Sequence, residues 1–194
     1  GAYVQVQTKD DVQLIQALQR AIDFAQRRGT VAVAAAGNDT ANLARDARNM
    51  IEIPVQLQGV ISVGATAPVN QQNFDAIASY SNVGFPGVDV FAPGGDLVAG
   101  GVVPDLILSA CSGQVPGCES ELVYVFAAGT SFSSPHVAGE AAVISSDFAR
   151  DPRVDKVTAC IELTSDHPRG LFVDPLYGFG RIDVQRAAVC GGRG

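Results

Sequence analysis

Residues 129–139 read Gly-Thr-Ser-Phe-Ser-Ser-Pro-His-Val-Ala-Gly. Ser131 stands there between a glycine-threonine approach and an alanine-rich stretch that can continue as a helix. A serine at such a junction can hold its hydroxyl toward a cleft with its own N–H pointing the same way. That is the arrangement an acyl-transfer nucleophile needs. Peptide hydrolysis also needs donors for the developing oxyanion and a base. Asn38, which ends Ala34-Ala-Ala-Gly-Asn, offers a neutral carboxamide that can hydrogen-bond an oxyanion without competing for the proton. Taken alone, Gly-Thr-Ser reads as a helix N-cap and Gly-Asn as a turn after a strand. No base is evident. The only histidines are His136 and His167. An offset of five places His136 roughly 140° around a helix from Ser131. His167 follows Asp166, which suggests the order Ser, Asp, His. Enzymes of that order carry Gly-x-Ser-x-Gly, whereas residues 129–133 end in serine.

The whole run 129–139 closely resembles the nucleophile segment of subtilisin-like serine proteases, the subtilases. Residues 34–38 are similar to the family segment that ends in the oxyanion-hole asparagine. The resemblance implies Ser131 as nucleophile, Asn38 as oxyanion donor and His136 as a structural histidine. It implies substrate binding by Ala35, Ala36, Gly37 and Gly129, with Ala35–Gly37 as one wall of the pocket for the P1 side chain, the residue before the cleaved bond. The opposite wall is expected from a segment before Gly1. Asp39 reads as a solvated turn carboxylate, at a position where many relatives keep an acid near the pocket rim. Residues 60–65, 74–83, 90–94 and 177–184 also follow the family pattern in order. In this family the Asp and His of the triad precede the serine, in Asp-Ser/Thr-Gly and His-Gly-Thr/Ser-His motifs, and neither motif occurs in this chain. Residues 1–194 therefore read as the C-terminal portion of a subtilase catalytic domain, inactive by itself and partnered by the missing N-terminal part of the same domain. The alternative is a non-catalytic subtilase-like binding or scaffold module. A sedolisin-type acid protease shares Gly-Thr-Ser but not the continuation Pro135-His-Val-Ala-Gly139.

These residues need a scaffold, and the composition supplies a core for one. Hydrophobic residues make up 47% of the chain and Trp is absent, while small apolar residues abound. This composition excludes a disordered tail and suits parallel strands with closely packed helices. The expected fold class is α/β, a mainly parallel sheet flanked by helices in an incomplete subtilisin-like fold. A net charge of −7 with only two lysines, Lys9 and Lys156, argues against nucleic-acid binding. No apolar run reaches the ~18 residues of a membrane span. The expected partner is a polypeptide substrate. Catalysis needs no cofactor and no metal ligand set is read from the chain, although the resemblance leaves room for structural calcium in the complete domain. Asp89 sits where some relatives have a calcium ligand, but one carboxylate falls far short of six to eight oxygens, and it reads as a surface-facing strand-end residue.

Helical periodicity over residues 11–28 places Leu14, Ile15, Leu18, Ile22 and Ala25 on one face, with Asp10 or Asp11 as cap and Gly29 as stop. Residues 30–36 suit a strand buried on both faces, ending at Gly37-Asn38 where α/β sheets place their ligand crevice. Residues 60–65 and 88–92 read as further buried strands, and 106–109 and 122–127 as short strands or extended segments. A helix follows from Ser131 to about Phe148, with Val137, Ala141, Ala142 and Ile144 on its apolar face. Two more span 154–163 and 184–189. Cys111, Cys118, Cys160 and Cys190 form two sequence-local groups. Of the three connectivities open to four cysteines, Cys111–Cys118 with Cys160–Cys190 is the expected pairing. Two disulfides imply an oxidising compartment, hence a secreted protein.

Overall fold

The structure, a computed structural model, describes residues 1–45, 50–115, 118, 123–147 and 153–190. Its centre is a three-stranded parallel sheet in the order β2 (Ala32–Ala35), β4 (Val60–Thr66), β5 (Val90–Pro93). Val33 lies beside Ile61, and Val63 beside Val90. Every residue of β4 is buried, because both of its faces are covered and both of its edges are paired. Helix α2 (Thr130–Asp147) packs across the sheet, with α3 (Val154–Thr164) and α4 (Val184–Cys190) outside it. Their shared core joins Ile61, Val63 and Val90 to Val137, Ile144, Val157 and Ile161. On the opposite face Phe91 stacks on Tyr177 with ring centroids 4.3 Å apart.

Helix α1 (Lys9–Gln26) starts two residues earlier than its periodicity indicates. Its cap is Thr8 rather than Asp10 or Asp11. The Thr8 side chain accepts the Asp11 N–H, and Asp11 accepts the Thr8 N–H in return, a capping box that satisfies two otherwise orphaned donors. Gly29 ends the helix at φ +80°, where the Thr30 N–H reaches back to the Ala25 carbonyl. Ile15, Leu18 and Ile22 pack on Val60 and Leu57, but Leu14 is 48% exposed. On α2, Ala142 is exposed and Glu140 takes the buried place beside Ala141.

Three further features concern strands. Strand β2 is half-buried rather than enclosed, because it is the sheet's edge among the described strands. Strands β6 (Ile107–Cys111) and β7 (Val123–Ala127) form an antiparallel pair. An antiparallel pair of β1 (Ala2–Gln5) and β3 (Met50–Ile53) carries no sequence signal that marked it. Leu122 and Phe148, the expected start of β7 and end of α2, lie outside the described residues.

Candidate active site

The turn after β2 and the start of α2 are joined by one buried side chain. Thr130 Oγ1 accepts the Gly37 N–H at 3.2 Å and donates to Asn38 Oδ1 at 2.9 Å. The Thr130 N–H also donates to Asn38 Oδ1, at 3.0 Å. Two donors on Oδ1 fix the rotation of the carboxamide and turn Nδ2 to the other side. The N–H of Ser131, one residue into α2, belongs to the first helical turn, which has no intrahelical acceptor. Gly129 defines the space between these donors. It sits at φ +147°, and a Cβ built on it would lie 3.4 Å from Asn38 Nδ2 and 3.7 Å from the Ser131 N. A small electronegative atom in that space would meet both donors, together with the positive end of the helix dipole. The Ser131 side chain is exposed at the same helix start, as is Asn38.

The structure brings Asn38, Gly129 and Ser131 together, with Ala35, Ala36 and Gly37 leading into the same turn. It keeps both histidines out of the group. His136 Nδ1 lies 2.7 Å from the Phe132 carbonyl. A carbonyl only accepts, so Nδ1 holds the proton. The ring lines a separate, mostly apolar cleft with Phe74, Pro93, Ile107 and Ile182. His167 packs edge-on against Phe172 at 5.2 Å, and its neighbour Asp166 is held by Arg181 and Arg186.

Asp89 is turned inward, a correction to its surface-facing reading. Its Oδ2 accepts the Ser62 N–H at 2.8 Å, and burial pushes its carboxyl up to about 6 against that hydrogen bond. Among the described residues no group of three or more His, Cys, Asp or Glu could hold a metal ion. The cysteines pair as Cys111–Cys118 and Cys160–Cys190, with Cα atoms 6.0 and 5.8 Å apart. The first bridge closes the loop beyond β6 and the second ties α3 to α4. Pro116 and Gly117, inside that loop, lie outside the described residues.

With this geometry in hand, the subtilase (peptidase S8) family model matches residues 4–180. The chain belongs to the subtilase family. It is 32% identical over 170 residues to the thermophilic serine proteinase of Bacillus sp. (strain AK1), covering 88% of this chain and 33% of that protein. It is 38% identical over 130 residues to an extracellular protease of Xanthomonas campestris, covering 66% of this chain and 18% of that one. Among solved structures, a lanthipeptide protease superposes with a TM-score of 0.81 at 27% identity, over 96% of this chain and 58% of that one. The epidermin leader peptide processing protease EpiP of Staphylococcus aureus gives 0.78 at 24% identity, over 100% and 50%, a likeness of fold. This subtilase chain thus spans about a third of its Bacillus relative and half to three fifths of those structures.

Motif reading overlooked Thr130, although it lies inside the Gly-Thr-Ser run. A threonine offers a donor and an acceptor on one oxygen, and here both are used. It also overlooked Glu52, Asn82 and Tyr3, which gather behind Gly37 from distant parts of the chain.

Proposed function

We propose that this chain is the nucleophile-bearing part of a secreted subtilisin-like serine endopeptidase that hydrolyses peptide bonds through an acyl-enzyme. The observation that carries the reading is the convergence of Asn38 Nδ2 and the Ser131 N–H beside Gly129, at the helix start that exposes the serine. Ser131 Oγ attacks the scissile carbonyl as its proton passes to a base. The carbonyl oxygen becomes an oxyanion between Asn38 Nδ2 and the Ser131 N–H. The C–N bond breaks, the amine leaves with a proton, and water releases the acyl group by the reverse use of the same groups. Thr130 serves as a positioning residue, since it holds Asn38 by its oxygen.

The base and the acid that orients it come, in this proposal, from the N-terminal part of the same catalytic domain. The unpaired edge of β2 among the described strands supports such a neighbour. Two disulfides and an extracellular relative support secretion. No helix among the described residues is long and apolar enough to cross a membrane.

Peptidase assays on the 194-residue chain and on the protein extended upstream through both motifs test the reading. The extended protein is expected to cleave peptides in a Ser131-dependent way and the 194-residue chain to show background only, because an unassisted hydroxyl is a weak nucleophile. Ser131-dependent turnover by the 194-residue chain would contradict the missing base. An extended, folded protein with no turnover would favour a non-catalytic module.

A further inference from the structure

Behind the Gly37–Asn38 turn, the side chains of Asp39, Glu52 and Asn82 surround one point. A Cβ on Gly37 would lie 2.7 Å from Glu52 Oε1, 3.2 Å from Asp39 Oδ2 and 2.5 Å from Asn82 Nδ2. Gly37 has φ +100°, so only a residue without a side chain both adopts the turn and lets these side chains approach its backbone this closely. Asn82 is fully buried and organises the group. Its Nδ2, with two hydrogens, lies within hydrogen-bond reach of three acceptors, the Ala36 carbonyl at 2.8 Å, the Tyr3 hydroxyl at 2.9 Å and Glu52 Oε2 at 3.2 Å. Its Oδ1 accepts the N–H groups of Asp39 and Ala41. The cluster is thus braced against the Ala35–Gly37 segment that the family resemblance places along the P1 pocket.

Among the described residues no basic side chain compensates the charge of this group. Glu52 is 4% exposed, and neither it nor Asp39 forms an ion pair with Lys or Arg among the described residues. The group now facing both carboxylates is the phenol of Tyr3, which donates to Asp39 Oδ2 at 3.0 Å. Strand β1 delivers it from the position directly across from Glu52. A phenol is one neutral donor. A guanidinium or ammonium on a long apolar stem brings several donors and the missing charge to the same oxygens. An apolar side chain there would leave a buried carboxylate without compensation.

We propose that Glu52, assisted by Asp39, determines specificity in the primary side-chain pocket, and that the pocket selects peptides with Arg or Lys before the cleaved bond, displacing the Tyr3 phenol. This rests on the hydrolytic reading above, so its test has one arm that needs no turnover. In that arm p-aminobenzamidine, a small aromatic cation, is titrated by fluorescence into the intact protein carrying Ser131→Ala. Binding is expected, weakened roughly tenfold or more by Glu52→Gln, weakened less by Asp39→Asn, and tightened by Tyr3→Ala. Glu52→Gln keeps an acceptor for Asn82, and its melting temperature is checked beside the parent. Should that variant unfold, the exposed Asp39→Asn carries the test. Absence of amidine binding, or binding indifferent to both carboxylates, overturns the proposal.

The second arm compares peptide substrates with Arg, Lys, Leu or Phe at P1 in the active protein. A kcat/KM preference for Arg and Lys over Leu and Phe that collapses in Glu52→Gln is expected. A preference for Leu or Phe in the parent overturns the proposal. Carboxylate-dependent amidine binding without any peptide turnover would leave the pocket standing and bring down the hydrolytic reading instead.

Discussion

Glu140→Gln should stabilise the protein at alkaline pH and leave it unchanged in acid. Glu140 lies on α2 with 1% of its surface exposed, and neither carboxylate oxygen has a hydrogen-bond partner among the described residues. Burial, with a smaller push from the Asp183 charge, raises its carboxyl from 4.5 to about 7. A carboxyl that binds its proton more tightly in the folded state favours folding less as the proton is lost. No penalty exists below pH ~4.5, it grows between 4.5 and about 7, and it is complete above that. Each tenfold in proton affinity is about 1.4 kcal/mol, so the full penalty is at most about 3 kcal/mol. The amide in Glu140→Gln keeps the shape and cannot ionise. At 2–4 °C per kcal/mol for a chain of this size, the variant should melt roughly 6–12 °C above the parent at pH 9. At pH 4.5 the two should coincide within about 1 °C. Calorimetry of both proteins in a Ser131→Ala background, which removes autolysis, gives the comparison. The difference isolates Glu140 from Asp89 and Glu162, whose carboxyls burial also raises. An equal shift at both pH values, or a variant that melts lower at pH 9, would refute the argument by showing that the carboxylate is solvated or paired.

Three further outcomes follow from the same geometry. Thr130→Val keeps the shape but removes the bridge between the Gly37 N–H and Asn38 Oδ1. In the active protein it should lower kcat by about 1–3 kcal/mol of lost positioning with KM nearly unchanged, and an unaffected kcat would make the bridge merely structural. Asn38→Ala should cost ~2.7–4 kcal/mol in kcat, because the carboxamide meets charge that develops only in the transition state; equal turnover would reduce Asn38 to a turn residue. Replacing Cys160 and Cys190 together by alanine should lower stability by ~2–4 kcal/mol in denaturant titration, and the shorter Cys111–Cys118 loop should contribute less. Four alkylatable thiols in freshly prepared protein would overturn both bridges and the secreted location argued from them.

What the sequence made legible was whatever repeats locally. α3 and α4 show in apolar spacing, and β4 in an unbroken small apolar run. The neighbourhood of Ser131 and Asn38 was readable because each sits in a short motif, and the structure places the two side by side across Gly129. Context that comes from elsewhere in the chain was not readable. The run 30–36 has the composition of an enclosed strand, yet β2 lies at an edge among the described strands, and composition does not record which neighbour a strand has. Leu14 and Ala142 fit an apolar stripe but look outward, because the width of a buried stripe is set by what packs against it. The cap of α1 moved to Thr8 because a reciprocal bond with Asp11 outweighs a lone carboxylate at the start. Glu52, Asn82 and Tyr3 lie too far apart in sequence for any local pattern to join them, and only the pairing of β1 with β3 and the fold of the 74–83 segment brings them behind Gly37.

The most direct test of the central claim is the site of covalent labelling by a fluorophosphonate in the protein that carries the complete catalytic set. Intact mass and peptide mapping should show one adduct, on Ser131, formed at a rate that falls in Asn38→Ala and vanishes in Ser131→Ala. An active peptidase that is labelled on another residue, or that keeps its turnover without Ser131, would contradict the account.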